Sequence, residues 1–449
     1  MSRSVPRLVA VVMAFALLAA AACSSDSKGN EKSGGGATVP KETIDYKAIG
    51  LWDDGPCDPA KKPLVVGLMT VFESPIVSLK DQAQALEASA KAFNKRGGAN
   101  GSCVKVHNCD DGANTDQAVA CVREIDKAGV MATVNDQGTS GQAEVSAAMA
   151  KAGIPRVASN VSQDDWGDPN AFPMDGSGTG GTFMQPTALV SKGVKKIGLI
   201  RVDLAAASAL KGLLNGILKP SGASVVSDAP VPGGTTDFSQ FVLGAQSAGA
   251  QGVSLAIGEQ EAVQVVKAGQ QQNSTLKFAA GFGTFSHGAV ADLGDFSKQM
   301  VFSNPFAPVT ADLPVYKALR ADLAASGVEA LQPENLKTSP MHSWIGLYAL
   351  LKMIRDAHMT TFTRQGITDM LKKAKDVPML NMFGGENWTP DLNHQGIWKR
   401  GGMNHWSVYT FDPDKTGPDG FKGVFVKGAD LSWDKTLCGS ALGGPPPCS

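Results

Sequence analysis

The 449-residue sequence is poor in aromatic residues, at 6%, with only four tyrosines. It has no excess of charge either: 41 Lys and Arg stand against 42 Asp and Glu. This balance excludes both the basic field that nucleic acid requires and an acidic solvating tail, so no nucleic-acid partner is expected. After Cys23 no apolar run is longer than a strand, which excludes a mature transmembrane helix. There is no CxxC, no HExxH and no GxSxG, and the six histidines are scattered. A zinc site and the commoner hydrolase nucleophiles are therefore disfavoured, and neither metal nor cofactor is expected. No internal repeat with a period of about 20–50 residues is visible.

What is present begins with an export signal. Arg3 and Arg7 precede the apolar run Leu8–Ala22, which ends in small residues at Cys23. The run is too short to span a bilayer and suits a secretory signal. The residues before Cys23 resemble the lipobox of bacterial lipoproteins, with Ala20 where Leu is usual. That resemblance implies lipidation of Cys23 and a lipid anchor on the outer face of the cytoplasmic membrane. Residues 24–62 read as a Ser/Gly/Lys-rich tether and lead-in.

Six further cysteines suit an oxidising compartment and allow 15 connectivities. Cys109 ends a strand and Cys121 lies in the helix that packs back on it, so these two are expected to pair. Cys438 and Cys448 flank a Gly/Pro-rich tail and are expected to pair, which leaves Cys57 with Cys103.

From Leu64 strands and helices alternate. The run LVVGLM is a buried strand, and Ala83, Leu86, Ala90 and Phe93 line one face of the next helix. The alternation continues through VKVHN, VMATV and RVAS, pauses at Gly176–Gly181 (GSGTGG), and restarts at KIGLIRV. GSGTGG reads as a loop beside a hinge. Two α/β units with parallel sheets and right-handed crossovers follow from this order. After Val301–Phe306 come three helices, one placing Trp344, Leu347, Tyr348, Leu351 and Ile354 on its core face. WSVYTF at Trp406–Phe411 is a late strand, and irregular chain is expected from Asp412 onward.

The stretch Met131–Ser162 ends two strands in polar loops, NDQGTS and NVS. Helix N-termini there offer unpaired N–H groups and a partial positive charge, which suits an anionic or carbonyl group. Thr139 and Ser140 would serve equally as helix caps. Adjacent carboxylates at Asp53-Asp54, Asp110-Asp111 and Asp164-Asp165 read as solvated turns rather than acid/base couples. His394 and His405 read as surface or structural residues. No catalytic residues, and no enzyme activity, are expected.

The ordered series LVVGLMTVFESP, CDDGANTDQAVAC, VMATVNDQGTSGQAEVSAAMAKAGIPRVASNVS, VKKIGLIRVD, TTDFSQFV, GVSLAIG and LKFAAGFG resembles the type I periplasmic solute-binding proteins, in the branch of leucine/isoleucine/valine binders. The resemblance spans about Leu64 to Phe411. It implies two Rossmann-like lobes joined by three crossovers, near Asp175, Asn304 and Glu386. The implied divisions are residues 63–175 plus 305–385, residues 176–304 plus 386–427, and a disulfide-closed tail at 428–449. It also implies ligand capture by a monomer between the lobes and delivery to an ABC-transporter permease. A binding protein that reports to a membrane receptor or sensor kinase uses the same fold and is the main alternative.

In amino-acid-binding members the ligand carboxylate is held by first-lobe hydroxyls and backbone N–H groups, which match Thr139, Asn160 and Ser162 here, with Ser140 alongside. Their second lobe carries an acidic partner for the ammonium, where this chain has Phe282. Their aromatics are matched by Ala206 and Glu259. The ammonium clamp is thus missing, with Glu259 or Glu73 as candidate replacements. Phe72, Trp166, Phe282 and Phe285 lie in loops at strand ends, and Phe282 is the strongest candidate for the apolar wall. The expected ligand is a small organic compound with an apolar or aromatic body, with or without a carboxylate or carbonyl end. A branched-chain amino acid is the less favoured reading.

Overall fold

Continuous apolar runs such as LVVGLMT are what a strand covered on both faces requires, and they build two sheets. The computed structural model describes residues 44–74, 78–138, 140–159, 167–203, 205–281, 283–392 and 402–437. Residues 1–43, with the signal segment and Cys23, and Cys438 and Cys448 lie outside the described residues, whereas the lead-in from Ile44 onward is described and buries Leu51 and Trp52 in the first core.

The first unit runs β1 (Leu64–Thr70), α1 (Lys80–Lys95), β2 (Val104–Asp110), α2 (Thr115–Lys127), β3 (Ala132–Val134), α3 (Gln142–Ala152), β4 (Arg156–Val157) and β5 (Ala171–Phe172). Its five strands lie in the order β2-β1-β3-β4-β5, all parallel. Asn114 caps α2 by accepting from Gln117 N at 3.0 Å, and α3 stops at Gly153, whose φ is +66°. Both devices are visible in the sequence.

The second unit runs α4 (Ser177–Ser191), β6 (Lys196–Val202), α5 (Leu210–Leu218), β7 (Ser224–Val231), α6 (Ser239–Ser247), β8 (Gly252–Ala256), α7 (Glu259–Gln271), β9 (Lys277–Ala280), α8 (His287–Ala291) and β10 (Met300–Asn304). The chain then returns to the first sheet with α9 (Pro314–Ala324), α10 (Thr338–Asp356) and α11 (Arg364–Lys373). It crosses once more to add β11 (His405–Thr416), β12 (Lys422–Ser432) and α12 (Trp433–Leu437). The second sheet has the order β12-β11-β10-β9-β8-β6-β7. β6 to β10 pair in parallel, whereas β11 runs antiparallel to both β10 and β12. Two α/β sheets with three crossings agree with the architecture read from the sequence.

The return of α9 and α10 is fixed by one buried cluster. Arg96, at the end of α1, makes two bonds to Asp322 of α9, at 2.8 and 2.7 Å, and Trp344 of α10 donates to the same carboxylate at 2.9 Å. Around it Phe93, Leu86, Leu347 and Leu350 share a core with Leu68 and Val134.

Two expectations about secondary structure are corrected. Gly176–Gly181 is not a loop: α4 begins at Ser177. The glycines are there because the helix lies against two stacked tryptophans. A Cβ at Gly180 would stand 2.8 Å from Trp406 Cζ2, and one at Gly176 2.8 Å from Trp433 Cη2. Packing has overridden the poor helix propensity of glycine. The chain after Asp412 is also not irregular: β11 continues to Thr416 and β12 completes a hairpin. β12 is an edge strand, largely exposed from Val426 to Asp430, so no buried alternation marks it in the sequence.

Two expected disulfides are at bonding distance, Cys57–Cys103 and Cys109–Cys121. Asp110-Asp111 is not a solvated turn. Asp111 is fully buried, and Asp110 accepts from Phe72 N at 3.0 Å and from Gly112 N at 2.9 Å.

Candidate functional site

Parallel strands bring their carboxyl ends, and the loops that follow, to one edge of a sheet, and open α/β sheets bind ligands there. Here a cavity of about 270 Å³ lies at such edges of both sheets. The first unit contributes Gln137 after β3, with Ser78, Leu79 and Asp81 around the start of α1. The second contributes Ala256 to Glu259 after β8, Gly281, Gly283 and Thr284 after β9, and Ser303 and Asn304 at the end of β10. The crossings supply Asp175, Gly181, Thr182 and Gln185, and the start of α10 supplies Lys337, Thr338, Ser339 and His342. Trp406 closes the cavity from β11.

Each wall is held from behind. Asn135 donates through Nδ2 to Ser339 O at 3.0 Å and to Ser343 Oγ at 2.9 Å, tying the β3 loop to α10. Arg156 Nε reaches Asp136 at 2.6 Å with both side chains wholly buried. Gln137 is therefore presented on a rigid pedestal. The crossings are strapped together as well: Trp388 Nε1 donates to Pro173 O at 3.1 Å, and Met403 N donates to Met174 O at 2.7 Å. Gly402 lies so close that a Cβ would stand 2.4 Å from Asp175 N, and its φ is +76°. Only glycine fits there.

Charge in the cavity is concentrated on two groups. Lys337 Nζ lies 2.7 Å from Glu259 Oε2 and 3.2 Å from Asp81 Oδ2. Burial pulls the Lys337 pKa down, but its two carboxylate neighbours outweigh burial and the net shift is upward. Burial pushes the Glu259 carboxyl above the usual range, only partly opposed by Lys337. The ion pair outweighs burial for the lysine, which has two partners, and not for the glutamate, which has one. Deeper in, His342 Nε2 is 2.8 Å from Asp175 Oδ2, and both side chains are buried. Phe306 lies against the imidazole, with ring centroids 5.3 Å apart.

Three polar atoms on cavity-lining residues have no hydrogen-bond partner among the described residues: Trp406 Nε1, Ser303 Oγ and Thr338 Oγ1. Each is buried. Native interiors pair such atoms, so these three are open to a water or a ligand in the cavity.

Of the residues singled out in the sequence, Glu259 lines the cavity. Ser140 does not: its hydroxyl donates to Ala113 O at 2.9 Å, in the turn before α2. Phe72 packs against the first core, and Phe285 is buried in the second. Glu73 is exposed and lies 3.5 Å from Lys80. His405 is half-buried and shares a hydrogen bond with Ser407 at 2.9 Å. Thr139, Asn160, Ser162, Trp166, Phe282, Asp164-Asp165 and His394 lie outside the described residues. Sequence reasoning missed Gln137, Asp175, Ser303, Lys337, Thr338, His342 and Trp406. A usable signal existed for three of them, since Lys337, Thr338 and His342 are polar residues just before the apolar stretch 344–351 of one helix. Among the described residues no group of three or more His, Cys, Asp or Glu could hold a metal ion. No described helix is long and apolar enough to cross a membrane.

A family model described as "Periplasmic binding protein" matches residues 63–400. No curated protein matches the chain. Among solved structures, a solute-binding protein of an R. palustris ABC transporter, in complex with 4-hydroxybenzoate, is 17% identical with a TM-score of 0.66, covering 82% of this chain and 97% of that one. A fatty acid ABC transporter substrate-binding protein from Thermomonospora curvata is 17% identical with a TM-score of 0.64, covering 84% and 94%. A leucine binding protein from Thermotoga maritima is 16% identical with a TM-score of 0.62, covering 83% and 99%. At these identities the likeness shows the fold.

Proposed function

Because the chain belongs to the periplasmic binding protein family, we propose that it is an exported substrate-binding lipoprotein that captures a small organic compound and delivers it to an ABC importer. The ligand has an apolar or aromatic body with an oxygen function at one end. The observation that carries this reading is the cavity walled by both α/β units, just below the usual size range of small-molecule sites. A site walled from both sides holds its ligand by closing on it, as hinged binding proteins do. Two structural neighbours support the ligand class, one being bound to 4-hydroxybenzoate and one named for fatty acids.

Anchoring through Cys23 completes the reading. The membrane permease then meets a tethered, monomeric carrier, with the Ser/Gly/Lys-rich stretch 24–39 supplying reach; the lead-in from Ile44 onward is packed, Leu51 and Trp52 being buried in the first core. Lobes divided at 63–175 plus 305–385 and at 176–304 plus 386–427 fit the three crossings. Phe282, Thr139, Asn160 and Ser162 remain candidate contacts on the matching loops.

A thermal-shift screen of the protein lacking residues 1–23 tests the ligand class, using aromatic acids, aliphatic acids, amides and amino acids. The expected outcome is a clear rise in Tm with members of the first two groups. A rise with leucine or valine alone would overturn it. Loss of membrane association in Cys23→Ser tests the anchor.

A further inference from the structure

We propose that the part of the cavity lined by the ends of β10 and α10 and by Trp406 is a subsite for an uncharged oxygen of the ligand, a hydroxyl, phenol or carbonyl, and that Ser303 and Trp406 determine this specificity. The inference rests on the small-molecule reading above and deepens it by assigning one end of the ligand.

Trp406 is 1% exposed and Ser303 is fully buried. Neither Trp406 Nε1 nor Ser303 Oγ has a partner among the described residues, and the same holds for Thr338 Oγ1. An indole N–H only donates, so whatever completes Trp406 presents an acceptor. A hydroxyl donates and accepts, so Ser303 and Thr338 tolerate either role in the occupant. Ser303 pairs with Val408 across the antiparallel β10–β11 ladder, and Trp406 lies two residues along, hence on the same face. Gly281 and Gly283 carry no side chains, and a Cβ on either would come no nearer than 3.7 Å to Ser303 O or 3.9 Å to Thr338 Cβ.

Among the described residues the charge of the wall disfavours a carboxylate at this end. Among them, Asp81, Asp175 and Glu259 line the cavity against Lys337, and His342 is already bonded to Asp175. Lys337 has both Asp81 and Glu259 within 3.2 Å. A ligand carboxylate placed here would meet like charge without an uncommitted cation.

The test compares 4-hydroxybenzoate, benzoate and terephthalate by calorimetry on the wild-type protein, Ser303→Ala and Trp406→Phe. The three probes place a phenol, a hydrogen and a carboxylate at one position. Wild-type protein is expected to prefer 4-hydroxybenzoate over both others. Each substitution should weaken 4-hydroxybenzoate relative to benzoate by about tenfold, as loss of one hydrogen bond in a buried site requires. An undiminished preference in both variants, or terephthalate binding as tightly as 4-hydroxybenzoate, overturns the subsite. If no probe binds the wild-type protein, the ligand class proposed above fails, and a ligand-free measurement decides the subsite. Without ligand, Ser303→Ala should keep or raise the Tm, because it removes an unpaired buried hydroxyl. A fall of several degrees would reveal an internal partner and overturn the proposal.

Discussion

Lys337, at the head of α10, lies 2.7 Å from Glu259, at the head of α7, and so joins a helix packed on the first sheet to one packed on the second. The two side chains are about a fifth and a third exposed. A pair this wet contributes about 1 kcal/mol or less, so Glu259→Gln should barely move a urea-unfolding midpoint. Its effect should appear in the separation of the two halves, as a larger radius of gyration in small-angle scattering. Lys337→Ala should cost more stability than Glu259→Gln, because it leaves Asp81 and Glu259 without their shared cation. The reverse order would show that the lysine does not hold the two carboxylates.

The disulfides give a second prediction. Closing a loop between residues 46 apart restrains the unfolded chain more than closing one between residues 12 apart. In the chain-entropy model the respective contributions are about 4 and about 3 kcal/mol. Cys57→Ser/Cys103→Ser should therefore lower the unfolding free energy more than Cys109→Ser/Cys121→Ser, and mass spectrometry of the alkylated protein should find both pairs oxidised. A free thiol at any of the four positions would refute the pairing.

The loop after β3 offers a sharper test. Asp136 and Arg156 are both inaccessible to solvent and 2.6 Å apart. Asp136→Ala removes the nearer carboxylate from a buried guanidinium that keeps Ser146 Oγ at 3.1 Å and Asp168 at 3.8 Å, and should cost up to about 3–5 kcal/mol, the range for breaking one side of a buried ion pair. Asp136→Asn keeps an acceptor for Arg156 and should cost less. Chemical denaturation of the three proteins checks the order, and equal midpoints for wild type and Asp136→Ala would contradict the geometry. This pair also shows why part of the site was hidden in the sequence.

Local patterning carries the two sheets, because each buried strand and each amphipathic helix advertises its own burial. The helix face at Ala83, Leu86, Ala90 and Phe93 was legible for that reason. The site depends on residues far apart in the chain. His342 meets Asp175 across 167 positions, and Lys337 meets Glu259 across 78. No local period links such partners. Gly180 misled because its reason is a tryptophan in β11. Trp406 read as one more strand residue, since only the folded cavity shows that its N–H lacks a partner. Glu259 was found through the family pattern, not through its lysine.

The last prediction concerns acid. His287 begins α8 and sits among Phe411, Phe421 and Phe425, with its Nε2 3.1 Å from Gly423 O. Burial lowers its pKa below the ordinary 6.5, against smaller opposing effects of the Gly423 carbonyl and Glu334. The folded protein therefore holds the neutral ring, and the unfolded chain takes up a proton more readily. The stability contributed is full above about pH 6.5 and is lost as the pH falls through the lowered value. Tm should thus decline on mild acidification, and His287→Gln should decline less steeply over the same interval while being less stable at neutral pH. Gly423, with φ of +81°, supports this contact: a Cβ there would lie 2.3 Å from the Phe411 ring. Gly423→Ala should displace its carbonyl and weaken the acceptor for His287. It should cost about 1–2 kcal/mol from backbone strain alone, before overpacking is added. Parallel Tm profiles for wild type and His287→Gln between neutral pH and pH 5 would show that this histidine does not govern the acid response.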